Sequence, residues 1–258
     1  MRLFKSDEEK HAEDEFRRFA EALSAVAGPT QAAGLVDAFR ASGSAELLSK
    51  HERQKLGGTA FEQYAAAALA DDHLTAEEEA ALAKVADAVG LDQADLEARG
   101  DLYVRLQVAK INAGRLPVVE TPQLITKKNE VVHFEASAAL MKEVAVREWR
   151  GGSQGVSFRI AKGVRYRVGA TRGHIVTVGT QLQVADTGVL AITSQRIAYL
   201  GERKTLDMPF SKLMGMELYS DGVRLSLSNR QTAPLFKVTC STDVLGALLN
   251  AAAQEAQT

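Results

Sequence analysis

The spacing of apolar residues changes from a helical period to strict alternation across residues 115–129, and returns to a helical period in the tail after Ser241. Upstream, Phe16, Phe19, Leu23 and Val26 recur at i, i+3, i+7 and i+10, one stripe of an amphipathic helix. Gly28-Pro29 ends that helix, because proline cannot continue the backbone ladder. Short helical segments follow, punctuated by Gly43 and Gly57-Gly58, and the segment from Thr59 to Ala70 carries Phe61, Tyr64 and Leu69. Thr75-Ala-Glu-Glu78 has the form of a capping box, and Leu82, Val85 and Val89 form the stripe of a helix that stops at Gly90. A last helix over 93–112 is expected to bury Leu96, Tyr103, Leu106 and Ile111. Residues 1–114 thus read as a helical bundle. Residues 115–129, with Pro117, Pro122 and Lys127-Lys128 and no sustained period, read as a linker.

From residue 130 to 258 the period is two. Met214, Met216 and Leu218 alternate, as do Val223, Leu225 and Leu227, and then Phe236, Val238 and Cys240. Turn signals separate the runs at Lys162-Gly163, Asp186-Thr-Gly188, Ser220-Asp-Gly222 and Ser228-Asn229. Short strands at such spacing predict an antiparallel barrel or sandwich. After N-cap candidates at Ser241, Thr242 and Asp243, the residues Val244, Leu245, Leu248, Leu249 and Ala252 line one helical face. Burying four aliphatic side chains is worth about 6–12 kcal/mol before entropy is subtracted, so this helix must pack on something, and the open end of the sheet is the nearest candidate. The fold class is α+β in two domains, an all-α bundle followed by an antiparallel β-domain capped by a C-terminal helix.

Composition narrows the function classes. A net charge of -2 gives no global attraction to nucleic acid. The single cysteine, Cys240, forms no intrachain disulfide and fits a reducing compartment. No apolar stretch resembles a signal peptide or reaches spanning length, so a cytoplasmic protein is expected.

The stretch Gly188-Val-Leu-Ala-Ile-Thr193-Ser-Gln-Arg196-Ile-Ala-Tyr199-Leu resembles the GRAM-type hairpin of bacterial PH/GRAM-like domains. In that hairpin a Gly-x-Leu-x-x-Thr strand turns into an Arg-hydrophobic-x-aromatic strand. The resemblance implies that Leu190, Ile192, Ile197 and Tyr199 face the core and that the Thr193 hydroxyl braces the turn. It also implies a binding or adaptor module without catalysis. In the helical half, Ala70-Asp71-Asp72-His73-Leu74-Thr75-x-x-Glu78-Glu79 resembles the acidic turn and helix start of TerB-like domains, some of which hold metal at acidic sites.

Residue constellations add one lead and remove several. Aligning Asp71, Asp72 and Glu78 to a calcium loop puts Ala67 and Leu69 at ligand positions, so that reading fails. The ten acidic residues from Asp71 to Asp101 read as a solvated face. Gly151-Gly-Ser153-Gln-Gly155 matches a hydrolase nucleophile elbow, but a strand pattern follows it, and no acid lies between Ser153 and the only later histidine, His174. It reads as a glycine-rich hairpin connection. The five histidines lack metal-ligand spacing, and Cys240 reads as a small core residue. Neither cofactor, metal nor catalytic residue is expected.

The lead is a basic stretch. From Arg147 to Arg172 seven basic residues face Glu148 alone. Arg159, Lys162, Arg165, Arg167 and Arg172 are the expected anion-binding residues. The main expectation is an adaptor that binds a protein segment. The alternative is peripheral binding of an anionic lipid or phosphorylated ligand, at the inner membrane surface. A third partner is internal, the acidic helical half against the basic β-half. Nucleic acid is disfavoured, since only Trp149 and Tyr166 accompany the arginines.

Overall fold

A computed structural model describes the backbone of residues 5–26, 28–153, 156–161, 164–168 and 171–256, with side chains described outside 146–179. The helical half comprises α1 (Asp7–Ser24), α2 (Pro29–Ala41), α3 (Ser44–Leu47), α4 (Lys50–Ala68), α5 (Ala76–Val89), α6 (Gln93–Glu97) and α7 (Asp101–Asn112). Proline opens α2 at its first position, where the missing N–H costs no ladder bond. The capping box at Thr75 forms as expected: Glu78 N–H donates to the Thr75 hydroxyl, and Thr75 N–H donates to the Glu78 carboxylate. Phe16 packs edge-on against Phe19 and Phe39, with centroids at 5.7 and 5.2 Å, at the centre of the bundle core.

Two boundaries differ from the sequence reading. Gly57-Gly58 does not interrupt a helix, and α4 runs straight through it. The glycine serves packing, because a Cβ at Gly57 would lie 2.9 Å from the Phe16 ring and 3.0 Å from Val89. The expected helix over 93–112 is two, broken where Gly100 takes a positive φ of 47°.

The β-half has a curled seven-stranded antiparallel sheet with α8 (Thr242–Glu255) against it, and a separate two-stranded hairpin. Its strands are β1 (Val132–Ser153), β2 (Val156–Ala161), β3 (Val164–Val168), β4 (Thr171–Thr193), β5 (Arg196–Gly201), β6 (Thr205–Pro209), β7 (Leu213–Tyr219), β8 (Gly222–Leu227) and β9 (Leu235–Val238). Seven of them run in the order β6-β5-β4-β1-β9-β8-β7, while β2 and β3 pair only with each other. The core joins Leu190, Ile192, Ile197 and Tyr199 to Val223, Leu225 and Phe236, under Leu245, Leu248 and Leu249 of α8. Leu190, Ile192, Ile197 and Tyr199 of the β4–β5 hairpin therefore face the core, as expected.

Not all the strands are short. β1 and β4 have 22 and 23 residues, paired from Val132↔Thr193 to Ser153↔Thr171. β9 joins β1 only between Ala138 and Met141, so beyond Met141 the two long strands continue as a two-stranded ribbon. Glycine at 188 permits the close crossing of β4 and β5, because a Cβ there would meet the Leu200 carbonyl.

The halves meet through α7 and α8, and Ile111 of α7 is buried in the core of the β-half. Arg115 fixes the start of the connecting segment, donating to the Glu79 carboxylate and the Leu74 carbonyl. No described helix is long and apolar enough to cross a membrane.

Candidate functional site

Residues 115–129 form a strap without helix or strand across one end of the sheet. Leu124 is buried against Ala191, Ala198 and Val132 on the sheet's outer face. The strap ends in a buried ionic clamp. Arg196 Nε and Nη2 reach the two Glu130 carboxylate oxygens at 2.7 and 3.1 Å, a bidentate pair. Nη1 donates to Asp207 at 3.0 Å, and Nη2 also donates to the Ile125 carbonyl. The Thr193 hydroxyl accepts from the Gln195 and Arg196 N–H groups, bracing the turn as expected, and touches Glu130 at 2.8 Å. Burial pushes the Glu130 carboxyl up. Arg196, the Lys127 N–H and Thr193 outweigh that, and its pKa ends below the usual carboxylate value.

The opposite end is open. Here β1 and β4 leave the sheet, β5 turns into β6, and β8 connects to β9. A cavity of about 720 Å³ lies elsewhere, between the halves; the one at this open end measures about 630 Å³. Its floor is apolar, with Leu140, Leu206 and Leu235, and its rim carries Lys142, Lys204, Arg224 and Arg230. Backbone geometry holds the rim in place. The buried Asp186 carboxylate accepts the N–H groups of Arg203 at 3.2 Å and Lys204 at 2.9 Å, which anchors the β5–β6 turn to β4. Gly201 makes room for that carboxylate, since a Cβ there would collide with it.

Four cations on this rim face one carboxylate. Glu143 pairs with Arg224 at 3.2 Å, and Arg224 also lies 6.0 Å from the Tyr219 ring centroid. Arg230 reaches only the Asp207 carbonyl, at 3.5 Å, and Lys142 and Lys204 have no carboxylate partner among the described residues. A cationic rim over an apolar floor recognises an anionic head group with an apolar body attached. Sequence reasoning missed all four cations, which stand at positions 142, 204, 224 and 230 and converge only through the sheet order.

The expected anion residues Arg159, Arg165, Arg167 and Arg172 have side chains outside the described set, and Lys162 lies outside the described residues altogether. Their backbones place Arg159 opposite Arg165, Ser157 opposite Arg167, and Arg172 opposite Gly152. Ser153 of the elbow pattern ends β1, and β2 follows it rather than a helix.

Four of the ten acidic residues in the stretch are ion-paired among the described residues. Lys50 bonds Asp92 and Asp95 at 2.5 and 2.8 Å, Arg40 pairs with Asp87, and Lys110 and Arg115 pair with Glu79. Lys50 and the Asp95 N–H hold Asp92 down to about 2. Every ion pair identified among the described residues keeps to one side of Arg115 or ends on it. No cluster of three or more histidine, cysteine or acidic side chains fit to hold a metal occurs among the described residues. Cys240 is half-buried beside the β-half core, and burial raises its thiol pKa. No protein-family model, curated protein or solved structure matches the chain.

Proposed function

We propose that this chain is a non-catalytic binding protein whose β-half is a PH/GRAM-like module, and that the open end of its sheet takes an anionic amphiphile such as a lipid. The observation that carries the reading is the convergence of Lys142, Lys204, Arg224 and Arg230 over an apolar floor with Glu143 as the only opposing carboxylate. The inward-facing GRAM-like hairpin and its Thr193 brace support the PH/GRAM-like part of the reading. Sedimentation with vesicles of phosphatidylcholine, with and without phosphatidylglycerol, tests it. Binding should require the anionic lipid, weaken with salt and be lost in Lys204→Ala/Arg230→Ala, whose exposed side chains leave the fold intact. Absence of binding to anionic vesicles rejects the reading. Loss through Arg165→Ala/Arg167→Ala alone moves the site to the β2–β3 hairpin.

The adaptor reading has its own support in the ribbon beyond Met141. An isolated two-stranded ribbon is marginal in water, and its unpaired edges suit a protein strand.

A further inference from the structure

The cavity of about 720 Å³ between the halves has the opposite character to the open end of the sheet. The turn before α5, the end of α7, the strap, the start of β1 and the end of α8 all contribute to its wall. Among the described residues that line it there is neither lysine nor arginine, and Ile111, Leu116 and Ala251 give it an apolar side. Two helices also end on it. α7 finishes at Asn112 and α8 at Glu255, and the terminal carbonyls of a helix carry partial negative charge.

The side chains carry the same sign. His133 is only 5% exposed, and its Nδ1 lies 2.8 Å from the Pro117 carbonyl oxygen. A carbonyl can only accept, so Nδ1 holds the hydrogen and the neutral ring keeps its lone pair on Nε2. That Nε2 is buried without a hydrogen-bond partner among the described residues, although the Glu255 carboxylate lies 3.5 Å away. Two acceptors at that separation require a donor between them, since a buried polar atom left unmatched is costly. His73 lines the same cavity and is fixed in the same way. Its Nδ1 lies 3.0 Å from the Asp71 carbonyl, which leaves Nε2 as a second imidazole acceptor. The Asn112 amide nitrogen donates to the Asp72 carbonyl at 3.0 Å, and its oxygen is a further acceptor.

We infer that this cavity binds a primary organic ammonium ion with a short aliphatic body. The Glu255 side chain, 53% exposed, turns aside to admit the ammonium between its carboxylate and His133 Nε2, and one N–H donates to each. The alkyl body then lies against Ile111, Leu116 and Ala251. A metal ion is a poorer occupant, because no three histidine, cysteine or acidic side chains among the described residues are placed to hold one. This inference does not depend on what the open end of the sheet binds.

Titration calorimetry of the full chain with n-hexylammonium chloride tests it. Saturable binding with a Kd of about 1 mM or less is expected for a ligand of this size held partly by charge. Hexanol has the body without the charge, and tetramethylammonium has the charge without an N–H donor. Each should bind about tenfold more weakly or worse. Glu255→Gln keeps the shape of an exposed side chain, so it should leave the helical and sheet signals intact while weakening hexylammonium about tenfold. Long-range proton–nitrogen spectra of the imidazoles supply the location. His133 should carry its hydrogen on Nδ1 alone in the free chain, and its Nε2 resonance should shift on saturation as it accepts a hydrogen bond. No saturable binding up to about 10 mM overturns the inference. So does tetramethylammonium binding as tightly as hexylammonium, or an affinity that Glu255→Gln leaves unchanged. A hydrogen already on His133 Nε2 in the free chain, as the other tautomer or as the imidazolium, overturns it as well.

Discussion

The two ends of the β-half treat charge in opposite ways. At the strap end Arg196, Glu130, Thr193 and Asp207 are mutually bonded, and the Glu130 side chain has no exposure to solvent. At the open end Lys142, Lys204 and Arg230 stand on a rim without carboxylate partners among the described residues, and Arg224 shares one. Buried charge requires pairing because desolvation is costly, whereas solvated charge can wait for a ligand. The strap end therefore fixes the sheet, and the open end is left available. Both sets of cations stand in the sequence; only the fold shows which are buried and paired and which are exposed.

Removing one partner of the clamp should have the largest effect. Glu130→Ala leaves the Arg196 guanidinium buried with only Asp207 and a carbonyl, and should destabilise the chain by about 3–5 kcal/mol in denaturant unfolding. A loss under about 1 kcal/mol would mean that the clamp is as solvated as the rim, and the contrast between the ends would fail. The clamp also sets an acid limit. The Glu130 pKa is lowered in the folded state, so its contribution is fully present above the ordinary carboxylate value. It is lost as pH falls through the lower folded value. Melting temperature should therefore drop in that acid range in the wild type, and less so in Glu130→Gln.

Second in size is the crossing that leads from the closed end to the open one. Gly188→Val places a side chain against the Leu200 carbonyl and the Gly201 backbone, and overpacking of this kind costs about 1–3 kcal/mol. Anion binding should fall with it, because β4 carries Asp186, which anchors the Lys204 turn. If stability drops and binding survives at full strength, the open end is positioned independently of β4, and Asp186 has no part in placing the rim.

The same two ends show how far the sequence could be read. Leu190, Ile192, Thr193, Ile197 and Tyr199 were legible because alternation and a turn residue are local signals, and each occupies its expected place. The helix after Ser241 was legible for the same reason. Gly57-Gly58 misled because glycine marks a break in isolation but close packing beside Phe16. The length of β1 and β4 was hidden because Gly151-Gly152 and Gly173, turn signals in a local reading, lie inside these strands. The rim was hidden more deeply, since Lys142 and Arg230 become neighbours only once β9 pairs with β1. The basic run from Arg147 to Arg172 drew attention because it was contiguous, and its side chains lie outside the described residues.

The smallest expected effect gives the finest test of the open end. Glu143 is the only carboxylate on the rim among the described residues, exposed and bonded to Arg224. It offsets one of four cations and occupies the guanidinium that an incoming anion would use. Glu143→Gln keeps the shape and releases that charge. Exposed pairs of this kind are worth a fraction of a kcal/mol, so affinity for phosphatidylglycerol vesicles should rise by about two- to fivefold, with melting temperature unchanged. The gain should be largest at low salt and fade as screening increases. It should also vanish in the Lys204→Ala/Arg230→Ala background, where the remaining rim no longer holds the ligand. An equal gain in that background would assign the effect to a general change in surface charge, and the rim would lose its claim to be the site.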